Sequence, residues 1–220
     1  MTLVDEPAAT IDWIIFLPLR GQGGSTTAPR YSPAVPETPP LRPALFLDRD
    51  GVLNEDRGYV SRWEDFHWIE GAQAAVAAFN RAGWLVIVVT NQSGVGRGLY
   101  SEADMHALHA RMAQDLARAG GHIDAFYYAP HHPDAAQETY RHPDPPDRKP
   151  NPGMILRALA EWPIDREASI LVGDKPSDLE AALRAGVRGV LFEGGNLAEF
   201  LKAEALLPPL SPERSESGRG

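Results

Sequence analysis

Cysteine is absent from all 220 residues, so disulfides, thiolate nucleophiles and thiolate metal sites are excluded. Lysine is scarce. Lys149, Lys175 and Lys202 stand against 18 arginines, and a compact ammonium is not chemically interchangeable with a guanidinium fork. Positive charge is in deficit: 21 Lys and Arg face 30 Asp and Glu, a net charge of -9. That balance excludes a general binder of nucleic acid or of an anionic membrane. No apolar run is long enough to span a bilayer. Trp13 to Leu19 is apolar but short, follows acidic residues, and lacks the basic start of a secretory signal. The expectation is a cytoplasmic monomer with a small-molecule partner, no nucleic acid and no membrane. A Walker A pattern is also missing, and Gly94-Val95-Gly96-Arg97-Gly98 fails as a dinucleotide loop because Leu99 stands where its last glycine belongs.

What is present is an alternation of apolar runs and helical patterns. Residues 1–43 read as a Pro/Gly-rich extension, with six prolines among the sixteen residues from Ala28 to Pro43. Residues 44–205 read as one domain and 206–220 as a polar tail. Within the domain, strands are expected over 44–47, 84–90, 123–128, 168–172 and 190–192. Helices are expected over 71–82, 101–118, 152–162, 176–185 and 196–205. Residues 130–152 hold seven prolines and read as a loop. Strands alternating with helices imply an α/β fold with a doubly wound, mainly parallel sheet.

The chemistry gathers at the ends of those strands. The first ends in Asp48-Arg49-Asp50-Gly51, the second in Thr90-Asn91-Gln92-Ser93-Gly94, and the fourth in Gly173-Asp174-Lys175-Pro176-Ser177-Asp178. Arg148-Lys149-Pro150 opens the helix before the fourth strand. In a parallel sheet all of these fall on one edge, where such sheets bind ligands. Taken singly, Thr90 could be a strand-end hydroxyl, Asp174 a turn residue and Lys149 a solvated cation. Taken together they supply phosphoryl transfer. Asp48 can attack a phosphate ester to form an aspartyl-phosphate. Asp50 can protonate the leaving oxygen and later take a proton from water. Asp48, the backbone carbonyl of Asp50, and Asp174 can hold Mg²⁺, a hard ion that suits oxygen donors. Thr90 and the following amides can bind phosphoryl oxygens, and Lys149 can neutralise them.

The strings FLDRDGVLN, GYV, TNQSGVGRG, YYAPHHP, RKPNPGM and VGDKPSDL resemble the haloacid dehalogenase-like hydrolases. More narrowly they resemble the heptose bisphosphate phosphatase and histidinol-phosphate phosphatase-like family, over about residues 44–200. The resemblance implies a Mg²⁺-dependent phosphatase with Asp48 as nucleophile and Asp50 as acid/base. It implies substrate contacts from Arg49, from Asp56, Arg57, Gly58 and Tyr59, and from Thr90 to Ser93. Arg148 and Lys149 would sit over the phosphate, and Arg148, Lys175 and Arg57 would suit a second anionic group. Only 42 positions separate Asp48 from Thr90, which leaves no room there for a cap domain. These phosphatases often bind a structural zinc before Arg-Lys-Pro. Here the matching positions are Ala129, His131, Pro145 and Asp147, so no structural zinc is expected. The favoured substrate is a heptose bisphosphate, losing its 7-phosphate. The alternatives are histidinol phosphate, another small phosphate ester, or a non-catalytic phosphate-binding module.

Overall fold

The computed structural model describes residues 39–207. Five strands form one sheet: β1 (Arg42–Leu47), β2 (Leu85–Asn91), β3 (Ala125–Ala129), β4 (Ile164–Gly173) and β5 (Arg188–Leu191). Their order is β3-β2-β1-β4-β5, and every neighbouring pair is parallel. The helices are α1 (Ala72–Arg81), α2 (Ser93–Gly96), α3 (Glu102–Arg118), α4 (Gly153–Glu161), α5 (Pro176–Ala185) and α6 (Leu197–Ala203).

Side-chain alternation sorts the core into two layers. Leu45 and Leu47 of β1, with Val86 and Val88 of β2, pack under α1, α3 and α6 through Val76, Phe79, Leu108, Met112 and Leu201. Ala44, Phe46, Leu85 and Ile87 face the other way, onto Met154, Ile155 and Ala158 of α4 and Ala181, Ala182 and Ala185 of α5. Because both faces are covered, these strands read as unbroken apolar runs. The strand order reverses between β1 and β4, so the crevice of this doubly wound sheet lies at their carboxyl ends.

Helix ends follow their sequence signals. Ser101 Oγ accepts from Asp104 N while Asp104 Oδ2 accepts from Ser101 N, a capping box at the start of α3. Asn196 Oδ1 accepts from Glu199 N at the start of α6. Gly186 closes α5 in the left-handed conformation.

Several elements differ from expectation; β3 and β5 are each shifted by one or two residues, and three differences have a visible cause. β1 begins at Arg42, inside the stretch assigned to the extension, where Arg42 pairs with Ile164 and donates from Nε to Gly83 O at 2.8 Å. β4 begins at Ile164 rather than Ala168. Its start is drawn into the strand by pairing of Ile164 with Arg42 and Asp165 with Pro43, and a register shift that takes in Arg166 and Glu167 follows before Leu45 meets Ile170. α2 was not expected, since Ser93 to Gly96 has the composition of a loop; Gly94 lies so close to the Tyr100 ring that a Cβ would collide with it. The readings placed on residues 1–38 and 208–220 lie outside the described residues. Between β1 and β2 lie a flap with one 3-10 turn, Trp63–Asp65, and α1, so no cap domain is inserted there.

Candidate active site

Asp48 is the first residue past β1, held by its backbone N–H to Val172 O of β4 at 3.0 Å. It is buried, and so is Lys149. The Lys149 ammonium lies 3.0 Å from Asp48 Oδ1 and 2.6 Å from Asp178 Oδ1, and it donates to Val89 O at 2.9 Å. Its three N–H groups are thereby all engaged. Burial opposes the lysine's charge, but Asp48 and Asp178 outweigh it and hold the ammonium above the usual lysine range. Burial pushes the Asp48 carboxyl up to about 6, Lys149 opposes that, and the charges of Asp178 and Asp50 add to it. A cation beside these carboxylates would restore the ionised nucleophile.

Asp50 is held from several sides. Asn54 Nδ2 donates to its Oδ1 at 3.0 Å, and Gln92 Nε2 to its Oδ2 at 3.0 Å. Arg49 Nη2 donates to both of its oxygens, at 3.0 and 2.9 Å. Gln92 also donates to Thr90 Oγ1 at 2.9 Å and accepts from the Tyr100 hydroxyl at 2.6 Å. Burial raises the Tyr100 phenol to about 12, so it remains a donor.

These residues border a cavity of about 560 Å³, a size that suits a small ligand. Of the residues singled out in the sequence, Asp48, Asp50, Asp56, Gly58, Tyr59, Thr90, Asn91, Gln92, Ser93, Arg148, Lys149 and Lys175 all line it. The flap presents Gly58 and Tyr59 in left-handed conformations, with Tyr59 half exposed. Lys175 Nζ donates to Asp56 Oδ2 at 3.0 Å, joining the flap to the start of α5.

Other placements differ from expectation. Arg49 does not face the cavity; its side chain is wholly buried against Asp50 and the Val60 carbonyl, because an arginine between two outward carboxylates on an extended chain points inward. Arg57 is exposed and paired with Glu55 at 2.6 Å, away from the cavity lining. Asn91 lines the cavity, but its amide is bonded to the Lys149 backbone in both directions, at 3.1 and 3.0 Å.

Asp178 joins the carboxylates expected around the metal. Asp48, Asp174 and Asp178 bring carboxylate oxygens within 4.8 Å of one another. The Asp50 carboxylate is not in that group, which leaves only its backbone carbonyl for the role. Asp174 Oδ1 is buried with no partner among the described residues, and burial raises its carboxyl pKa against the pull of Lys175. An all-oxygen set with an unpartnered buried carboxylate oxygen fits a hard divalent cation. The zinc positions do not fit one: Ala129 and Pro145 offer no side-chain donor, and Asp147 is paired with Arg157 at 2.9 Å. That loop is tied instead by its own bonds, such as Arg141 Nη2 to Ala135 O at 3.0 Å.

Asp178, Ser177 and Pro150 stand in the stretches singled out in the sequence but were given no role there, and Tyr100 was missed altogether. Asp178 carried a signal: it follows Asp174 by four positions and falls in the first turn of α5. Tyr100 carried none, since its approach depends on the turn at Gly94.

A parallel sheet whose central strand delivers a buried aspartate to a lysine and two further aspartates defines a haloacid dehalogenase-like hydrolase. The HAD-hydrolase-like family model matches residues 147–211. The chain is 45% identical over 167 residues to D-glycero-beta-D-manno-heptose-1,7-bisphosphate 7-phosphatase of Rhodopseudomonas palustris, covering 74% of this chain and 90% of that one. It is 48% identical over 149 residues to the alpha-anomer enzyme of Burkholderia mallei, covering 68% and 78%. Among solved structures it resembles D,D-heptose 1,7-bisphosphate phosphatase of B. bronchiseptica complexed with magnesium and phosphate. The TM-score there is 0.63 at 34% identity, over 77% of this chain and 90% of that one. The chain belongs to the heptose bisphosphate phosphatase family of haloacid dehalogenase-like hydrolases, and its class of reaction is hydrolysis of phosphoric monoesters.

Proposed function

We propose that this protein hydrolyses the 7-phosphate of D-glycero-D-manno-heptose 1,7-bisphosphate through an aspartyl-phosphate on Asp48. The observation that carries the bisphosphate reading is Arg148. It lines the cavity and makes no ion pair among the described residues, and its Nη1 is buried without a partner. A second phosphate would supply that partner. Asp56, the carboxylate nearest to serving an ammonium, is already bound by Lys175, which favours a bisphosphate over an amino-alcohol phosphate.

The steps follow from the residues. An oxygen of Asp48 attacks the phosphorus, the ester P–O bond breaks, and Asp50 gives its proton to the departing sugar oxygen. Water then attacks the phosphorus of the aspartyl-phosphate, Asp50 takes the water's proton, and the bond to Asp48 breaks to release inorganic phosphate. Lys149 fixes Asp48 and offsets charge throughout. Asp48, Asp174 and the backbone carbonyl of Asp50 would hold Mg²⁺, with Asp178 behind them, and the ion would polarise the phosphoryl group. A cytoplasmic monomer remains part of this reading; no helix among the described residues is long and apolar enough to cross a membrane.

Asp48→Asn removes the nucleophile, and kcat should fall by more than about 10³-fold, about 4 kcal/mol of barrier. EDTA should stop the native enzyme and Mg²⁺ restore it. Phosphate release retained by the variant would rule out the covalent route.

A further inference from the structure

The buried neighbours of Asp50 extend beyond Arg49. Arg49 Nη1 lies 3.3 Å from His109 Nε2, on α3 and across the upper layer of the core. His109 is itself buried, stacked on Phe126 with ring centroids 4.4 Å apart and 12° between planes. The His106 ring stands nearly perpendicular to it, with ring centroids 6.5 Å apart. No carboxylate bonds to either ring nitrogen among the described residues, and Nδ1 is buried without a partner. Arginine has no acceptor to offer, so the contact exists only if Nε2 presents a lone pair and the proton sits on Nδ1. Burial, the Arg49 cation and His106 push the imidazole down to about 3, which keeps it neutral in that role.

The guanidinium is thereby fixed from three sides. Nη1 is set by His109, Nη2 donates to Val60 O of the flap at 2.7 Å, and the edge formed by Nε and Nη2 grips Asp50. We propose that Arg49 and His109 are positioning residues for proton transfer: the neutral imidazole orients the buried guanidinium, which in turn orients the Asp50 carboxylate toward the ester oxygen. The alternative is that His109 only satisfies a buried cation. The two accounts predict different kinetics. Misaiming an acid penalises an ester whose leaving oxygen needs a proton, whereas a general loosening penalises every ester alike.

This inference rests on the acid/base role given to Asp50 above. The test compares the native chain with His109→Leu, which removes the acceptor, and His109→Gln, whose carbonyl oxygen can replace it. Single-turnover release of the leaving group is measured with Mg²⁺ for the heptose bisphosphate and for p-nitrophenyl phosphate, whose nitrophenolate leaves unprotonated. H109L should slow release of the sugar by about tenfold, part of the 10²–10⁴ that a placed acid supplies, with KM within twofold. It should slow nitrophenolate release by less than about twofold, and H109Q should recover most of the sugar rate. Equal losses on both esters, no loss, or no recovery in H109Q would overturn the proposal. If H109L fails to fold, H109M replaces the imidazole nitrogen by a much weaker thioether acceptor at a volume nearer to the imidazole's, and is read in the same way. A native enzyme that releases neither leaving group contradicts the phosphatase reading itself, so the two failures are separable.

Discussion

Lys149 and His109 are both buried ionisable groups, and their neighbours give them opposite charge states. Lys149 is held charged between Asp48 and Asp178. Lys149→Met leaves two buried carboxylates without their cation, and equilibrium unfolding should register a loss of about 3–5 kcal/mol. A loss below about 1 kcal/mol would mean that the ammonium is not structural. His109 is held neutral, with its folded pKa near 3 against an ordinary 6.5. Below pH 6.5 the unfolded chain binds a proton there that the folded chain does not. This contribution to stability is complete above pH 6.5 and falls by about 1 kcal/mol per pH unit on acidification toward 3. The His109→Leu variant should therefore lose stability less steeply than the native chain between pH 6 and 4, as measured by denaturant titration at each pH.

The strand ends place the chemistry, and one glycine sets how closely they approach. Gly51 has a φ of 92°, and a Cβ there would collide with the Asp174 carboxylate. Gly51→Ala should cost about 1–3 kcal/mol in backbone strain and, by displacing Asp174, about 10²-fold in kcat. Full activity in that variant would show that Asp174 tolerates displacement. At this scale the sequence was legible wherever local signals dominate. Apolar runs with turn residues behind them marked β1 and β2, and Ser101, Asn196 and Gly186 marked helix ends. It was silent where pairing overrides composition. Asp165 to Glu167 is polar enough to read as a loop, and only β1 beside it makes it strand. The candidate site divides along the same line. Asp48, Asp50, Thr90 and Asp174 follow from their places after strands, and Lys149 from its place ahead of α4. The inward turn of Arg49, the roles of Gln92 and Tyr100, and the acceptor His109 depend on contacts across the fold.

At the scale of the molecule, two layers of helices bury the sheet, and the crevice opens only where the strand order reverses. The described residues build a cavity that combines a nucleophile, an acid, a carboxylate cluster and two further cations, Arg148 and Lys175. The open layout admits water, which favours hydrolysis over transfer to a second substrate. The most direct test is phosphate release with Mg²⁺ from both anomers of heptose 1,7-bisphosphate and from histidinol phosphate, at matched concentrations. Arg148, unpartnered in the cavity among the described residues, predicts at least a 100-fold preference in kcat/KM for a bisphosphate anomer, about 2.7 kcal/mol of transition-state discrimination. Equal rates on all three, or faster turnover of histidinol phosphate, would contradict it.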